Sequence, residues 1–175
     1  LADRLGLHEE AQVVAAPELL PRHRQLAFAH HHGQPLRIGT DDLDRGGPAK
    51  QEVIVGDGPE RSALEKQAAT LGVAPRVVFA GAFPNEELPP FYAAADVFAF
   101  HTLHEGLGIV LLEALATGLP IVTTEAGGTL DIVRDGDTGL LVPPGNAPAF
   151  ARAVVRVLGH ATLAADLGAR ARRAA

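Results

Sequence analysis

From Glu52 onward, short runs of aliphatic and β-branched residues alternate with stretches whose apolar positions recur at helical spacing. "EVIVG" (52–56) reads as a buried strand, stopped by the Gly56-Asp57-Gly58 turn. A helix follows: Pro59 suits its first turn, Leu64, Ala68 and Leu71 share a face, and Gly72 closes it. "RVVFAG" (76–81) is a second strand. In "NEELPPFYAAAD" (85–96), Asn85 fits an N-cap, and Glu86 and Glu87 suit the positive end of a helix dipole. Pro89 and Pro90 fall early in that helix, where their missing donors cost least. "VFAFH" (97–101) is a third strand, "GIVLLEALATG" (108–118) a helix and "PIVTT" (120–124) a fourth strand. "GGTLDIV" (127–133) predicts one or two helical turns, and "GLLV" (139–142) a short fifth strand. Asn146 caps a helix reaching about Leu158, with Phe150, Val154 and Val157 or Leu158 inward. A last helix fills 161–174.

Strands this short and apolar, separated by helices, imply an α/β fold with a parallel sheet covered on both faces. Ligands of such sheets bind outside the carboxyl ends of the strands. Each glycine-rich turn here follows a strand: Gly56 and Gly58, Gly81, Gly106 and Gly108, Gly127 and Gly128. They share one rim, which is the candidate site. The first fifty residues differ. "LADRLGLHEEAQVV" suits a helix running into a strand, after which periodicity is lost, and five of the eight histidines precede residue 51. The chain therefore divides into an atypical, weakly specified segment (1–51) and an α/β domain (52–175).

The 175 residues suffice for one domain with a real core, and 47% hydrophobic content fits a globular class. A net charge of −6 provides no electrostatic footprint for nucleic acid or an anionic membrane. No apolar run approaches the ~18 residues of a membrane span. Without cysteine there is neither a disulfide framework nor a thiolate site, which suits the cytoplasm. The absence of methionine, initiator included, predicts a fragment of a longer protein.

The segment "EGLGIVLLE" (105–113) carries the chemistry. Its glycines let backbone approach a ligand closely, and the unpaired amides that open the following helix suit a phosphate. Glu105 precedes the turn and Glu113 lies in the second helical turn, so both carboxylates can reach the rim. Ionised carboxylates only accept hydrogen bonds, and their natural partners are hydroxyl pairs such as those of a sugar or ribose. The plain alternative makes Glu105 a first-turn acid and Glu113 an exposed helix residue.

Taken in order, "VIVGDGPE" (53–60), "RVVFAG" (76–81), "YAAADVFAF" (92–100), "EGLGIVLLEALATGLPIV" (105–122) and "DGDTGLLVPPGN" (135–146) resemble the retaining glycosyltransferases of family 4, which have the GT-B fold. The match is to their C-terminal, donor-binding domain, a Rossmann-like sheet, over about residues 52–168. The resemblance implies that Glu105 holds hydroxyls of the donor sugar and acts in catalysis. It implies that Gly106, Leu107, Gly108 and Ile109 line the sugar and diphosphate. Glu113 would bind the ribose, with Val110 beside the nucleoside and Ala82 and Phe83 flanking the base. It also implies transfer of a sugar from a nucleotide-sugar to an acceptor hydroxyl, with no metal or other cofactor. The acceptor (glycan, lipid or small molecule) would bind through an N-terminal domain that this chain lacks. The fragment alone would then be inactive, and the full-length enzyme cytoplasmic, at the inner face of the membrane through peripheral association.

The family's basic pair, a Gly-Arg followed by Lys-Gly after the first strand, has no counterpart here. Arg22, Arg24, Arg45 and Lys50 take no phosphate role, and Leu107 stands where the family often has Phe. Thirteen Arg against two Lys suggest a GC-rich gene, and a reading-frame slip between about residues 15 and 50 would explain the His-rich stretch. Two rivals stay open: a non-catalytic truncated nucleotide-binding module, and a GT-B relative such as a sugar phosphorylase or nucleotide-sugar epimerase. His30-His31-His32 reads as a solvated loop and His101 as a wall position. Gly56-Asp57-Gly58 lacks the third glycine of a dinucleotide fingerprint. Arg170, Arg172 and Arg173 read as a fraying, solvated helix end.

Overall fold

The computed structural model describes residues 25–30 and 51–175. Six strands, β1 (Gln25–His30), β2 (Gln51–Val55), β3 (Val77–Gly81), β4 (Val97–His101), β5 (Ile121–Thr124) and β6 (Gly139–Val142), form one sheet. All are parallel, in the spatial order β3-β2-β1-β4-β5-β6. That is the Rossmann strand order, whose ligand crevice opens where the chain reverses direction across the sheet, between β1 and β4.

The expected elements from Glu52 onward are present. β4 and β6 span the predicted residues, and the helices are α1 (Arg61–Thr70), α2 (Pro89–Ala94), α3 (Ile109–Thr117), α4 (Thr129–Ile132), α5 (Ala147–Gly159) and α6 (Ala161–Ala174). Asn146 caps α5 as expected, its side-chain oxygen accepting the Ala149 N–H at 3.1 Å. Some boundaries differ. Pro59 precedes α1 in a turn, and Glu60 is the cap. Asn85 caps nothing with its side chain; it opens a 3₁₀ turn, Asn85–Glu87, separate from α2. The two prolines open α2 itself and break any continuous helix through 85–96, because neither has an N–H to donate to the carbonyls of Asn85 and Glu86.

The strand that joins the two halves of the sheet is β1. It pairs with β2 on one side and β4 on the other, although its sequence lies in the stretch without clear periodicity. The sheet thus draws its middle strand from the segment preceding residue 52. The predicted helix and strand in 1–14, the histidines His31 and His32, the four basic residues Arg22, Arg24, Arg45 and Lys50, and most of the stretch ascribed to a frame slip lie outside the described residues.

Every residue of β4 and β5 is buried. Since successive strand side chains point to opposite faces, both faces are covered. Tyr92 of α2 packs on Phe98, and His101 meets Phe150 of α5 edge-on at 5.3 Å, so α2 and α5 lie on opposite faces. His101 is buried at this contact. Phe98, Phe100, Leu111, Leu115, Ile121, Phe150 and Leu167 are the largest fully buried side chains. Burying each contributes about 1.5–3 kcal/mol.

The C-terminal helix is pinned, which corrects the expectation of a fraying end. Arg172 donates to the Thr117 carbonyl at 2.6 Å. Arg170 donates to the Asp137 carbonyl at 2.8 Å and pairs with its carboxylate at 3.1 Å. Gly168 lies so close to the Gly118 carbonyl that no side chain fits between them.

Candidate functional site

Because the strands are parallel, the loops after them share one rim, and the β4–α3 loop sits on the switch-point side of it. Its polar groups are tied to the β5–α4 loop. The Thr124 hydroxyl donates to the Thr102 carbonyl and accepts the Thr102 N–H at 3.1 Å. The Thr102 hydroxyl donates to the His104 carbonyl at 2.9 Å. The Thr129 hydroxyl donates to the Thr124 carbonyl and accepts the Ala126 N–H at 3.0 Å. The Gly128 N–H donates to the Glu105 carbonyl at 3.0 Å. Buried hydroxyls that both donate and accept leave no orphaned group behind, so the two loops hold each other rigid.

Glu105 is buried, only 5% exposed. Its Oε1 accepts the Gly106 N–H at 2.9 Å and the Gly108 N–H at 3.1 Å. Its Oε2 is buried and has no hydrogen-bond partner among the described residues. This corrects one expectation: the Gly106 and Gly108 amides are not bare for a diphosphate, because Glu105 itself occupies them. The plain and the functional readings of Glu105 thus divide between its two oxygens, one capping the turn and one desolvated and unsatisfied. Leaving a buried acceptor unpaired costs about 1–3 kcal/mol, more for a charge, and a donor brought by a ligand would recover that cost.

Gly108 takes a left-handed conformation (φ +61°) at the start of α3, which disfavours any side chain there. By position, the Ile109 and Val110 amides lack intrahelical acceptors. Ile109 is exposed and forms the open end of the helix, beside exposed Leu107. Val110 has no exposed surface and packs in the core, so its side chain is removed from the surface a nucleoside would touch. Its aliphatic character follows the core face of α3, not the rim.

Glu113 is half-buried in the second turn of α3. Helical side chains lean toward the N-terminus, and residues four apart share a face, so Glu113 leans toward Ile109 and the rim. The Tyr92 hydroxyl donates to Glu113 Oε2 at 2.7 Å. Burial, and the hydrogen bond and charge of Glu113, hold the Tyr92 phenol well above its ordinary pKa, so it stays a donor. Sequence motifs did not single out Tyr92; the aromatic pair Phe91-Tyr92 inside a short amphipathic stretch was the available signal. At the β3 turn, Ala82 is exposed and half-buried Phe83 stands edge-on to Phe91, with ring centroids 4.7 Å apart.

Among the described residues, no three His, Cys, Asp or Glu side chains group as metal ligands. No helix among them is long and apolar enough to cross a membrane.

Residues 43–160 match the model of the glycosyl transferases group 1 family. The chain belongs to that family. Within the glycosyl transferases group 1, it is 38% identical over 176 residues to a GDP-mannose-dependent alpha-(1-6)-phosphatidylinositol monomannoside mannosyltransferase of Mycolicibacterium smegmatis. That similarity covers 96% of this chain, and so reaches into its first fifty residues, but 44% of the relative. The chain spans less than half the length of that curated relative. Among solved structures it is similar to HepE from Anabaena in complex with UDP, with a TM-score of 0.72 and 26% identity over 87% of this chain and 43% of that one. The fold also matches the C-terminal domain of a glycosyl transferase group 1 family protein from Francisella tularensis, with a TM-score of 0.69 and 21% identity, covering 86% of this chain and 82% of that one. The architecture is the Rossmann-like C-terminal half of a GT-B fold, as the sequence motifs imply.

Proposed function

We propose that this chain is the donor-binding part of a retaining glycosyltransferase, moving a sugar from a nucleotide-sugar to an acceptor hydroxyl. The observation that carries this reading is Glu105, whose Oε2 is buried beside the switch point of the sheet and has no partner among the described residues. A donor-sugar hydroxyl would supply the missing hydrogen bond. Gly106, Leu107, Gly108 and Ile109 line that position, with the open end of α3 toward the diphosphate. Helix-start amides there would stabilise the negative charge that grows on the departing diphosphate. Glu113 accepts ribose hydroxyls, and Ala82 and Phe83 flank the base.

In this reading the acceptor, a glycan, lipid or small molecule, binds through a separate domain, and transfer requires no metal. The name of the mycobacterial relative contains phosphatidylinositol monomannoside, which supports a lipid among the acceptors to try. Two donor types to try are GDP-mannose, from the name of that relative, and UDP-glucose, with which HepE from Anabaena has also been solved.

Calorimetric titration of the chain with GDP-mannose, UDP-glucose, GDP and UDP tests the reading. At least one pair binds, and Glu105→Gln weakens the sugar nucleotide while leaving the matching nucleoside diphosphate almost unchanged. Binding of none of the four, or equal weakening of both members of a pair, overturns it.

A further inference from the structure

The two groups assigned to the nucleoside, Glu113 on α3 and Phe83 after β3, are braced by adjacent residues of one short helix. Phe91 and Tyr92 of α2 are both buried. Phe91 meets Phe83, and Tyr92 meets Glu113. α2 itself is constrained: Pro89 and Pro90 restrict its first turn, and the Tyr92 ring is 2% exposed and lies 5.6 Å from the Phe98 ring of β4.

A glutamate has three rotatable side-chain bonds, and a half-exposed one samples many rotamers. The 2.7 Å bond from an immobile ring selects one of them. It engages Oε2 and does not reach Oε1. Ordering the carboxylate before the ligand arrives removes part of the entropic cost of binding.

We propose that Tyr92 is the positioning residue of the nucleoside subsite, fixing the Glu113 carboxylate so that it meets the ribose hydroxyls without reordering. This rests on the reading of Glu113 as the ribose-binding carboxylate, and the experiment separates the two. Tyr92 does not itself touch the nucleotide; it acts through Glu113.

The chain and its Tyr92→Phe, Glu113→Gln and double variants are titrated with GDP and UDP, and with the 2′,3′-dideoxy form of each. Ordering one rotamer-rich side chain on binding corresponds to about two- to tenfold in affinity. Tyr92→Phe is expected to weaken the ribonucleotide about fivefold and to leave the dideoxy ligand within about twofold, because its effect runs through the ribose hydroxyls. The double variant loses no more than Glu113→Gln, since the two substitutions break one relay. Thermal melts of each variant check folding. Equal weakening of both ligands by Tyr92→Phe shows a general packing role and overturns the proposal. Unchanged ribonucleotide affinity in Tyr92→Phe, with ribose-selective loss in Glu113→Gln, overturns the role of Tyr92 and keeps that of Glu113. No ribose-selective loss in Glu113→Gln, or no binding of either nucleotide to the unmodified chain, overturns the reading of Glu113 and this proposal with it.

Discussion

Gly128 is seated directly on Gly106: a Cβ added to it would overlap the Gly106 carbonyl oxygen. Its N–H meanwhile holds the neighbouring Glu105 carbonyl at 3.0 Å. The loop after β5 is therefore the support on which the Glu105 turn rests. Gly128→Ala should destabilise the chain by about 1–3 kcal/mol, as overpacking against backbone does, and should weaken sugar-nucleotide binding by shifting Glu105. Denaturant midpoints and calorimetry check both. Wild-type values for both would show that the loops part without cost.

Glu105 should separate its two tasks between two substitutions. Glu105→Gln keeps a carbonyl oxygen to accept the Gly106 and Gly108 amides, but replaces the open acceptor by a donor. The fold should survive, while turnover of the complete enzyme falls about 10²-fold or more, as when one pre-aimed polar group is lost from an active site. Glu105→Ala also removes the hydrogen bonds to the Gly106 and Gly108 amides and should cost a further ~0.5–1.5 kcal/mol of stability for each. Melting curves and turnover assays distinguish the two.

Glu113→Gln should weaken nucleoside diphosphate binding by about tenfold, within the range for a hydrogen bond to a charged group. Turnover at saturating donor should change less, because the ribose is remote from the bond that breaks. A kcat loss with unchanged KM would contradict the assignment.

Glu52 sets a pH dependence. The residue is half-buried, and desolvation of its carboxyl pushes its pKa up from 4.5 to about 7. The folded chain therefore binds more protons than the unfolded chain between these values. Its contribution to stability is full below about 4.5 and is lost as the pH rises through about 7. Glu52→Gln should flatten this part of the profile and raise the melting temperature at pH 8 relative to the parent. Thermal melts at pH 5 and pH 8 provide the comparison, and parallel profiles would refute it.

Arg172→Ala should loosen the C-terminal helix by removing the 2.6 Å bond to Thr117, at a cost of about 0.5–1.5 kcal/mol. Faster amide exchange confined to α6 is the expected signature. An unchanged exchange pattern would return Arg172 to the role of a solvated surface charge.

The elements from β2 to α6 were legible in order because each is governed by local chemistry. A β-branched run too short for a helix, a glycine that ends it, and Asn146 before an amphipathic stretch are all read within a few residues. The β4 run "VFAFH" is fully apolar apart from its last residue because it is covered on both faces, and that pattern alone announces a parallel sheet. Even the acidic pair was visible through its spacing and neighbours. What spacing could not show is that Oε1 of Glu105 turns inward to its own glycine amides and leaves Oε2 without a partner among the described residues. Such partners depend on where a loop folds back, and nothing in a carboxylate's identity says which donors it will meet.

β1, Tyr92 and Val110 mark the same boundary from three directions. "QLAFAH" lies in a stretch without clear periodicity, and its place at the centre of the sheet follows from pairing with β2 and β4, which are distant in sequence. Tyr92 reaches Glu113 across 21 positions of chain, a contact made only when α2 packs beside α3. Val110 stands next to the rim in sequence, but a helix turns its neighbours about 100° apart, which carries its side chain into the core. Periodicity and caps act over three or four residues and are written in the chain; the convergence of side chains from separate elements arises from packing, and packing exists only once the sheet has closed.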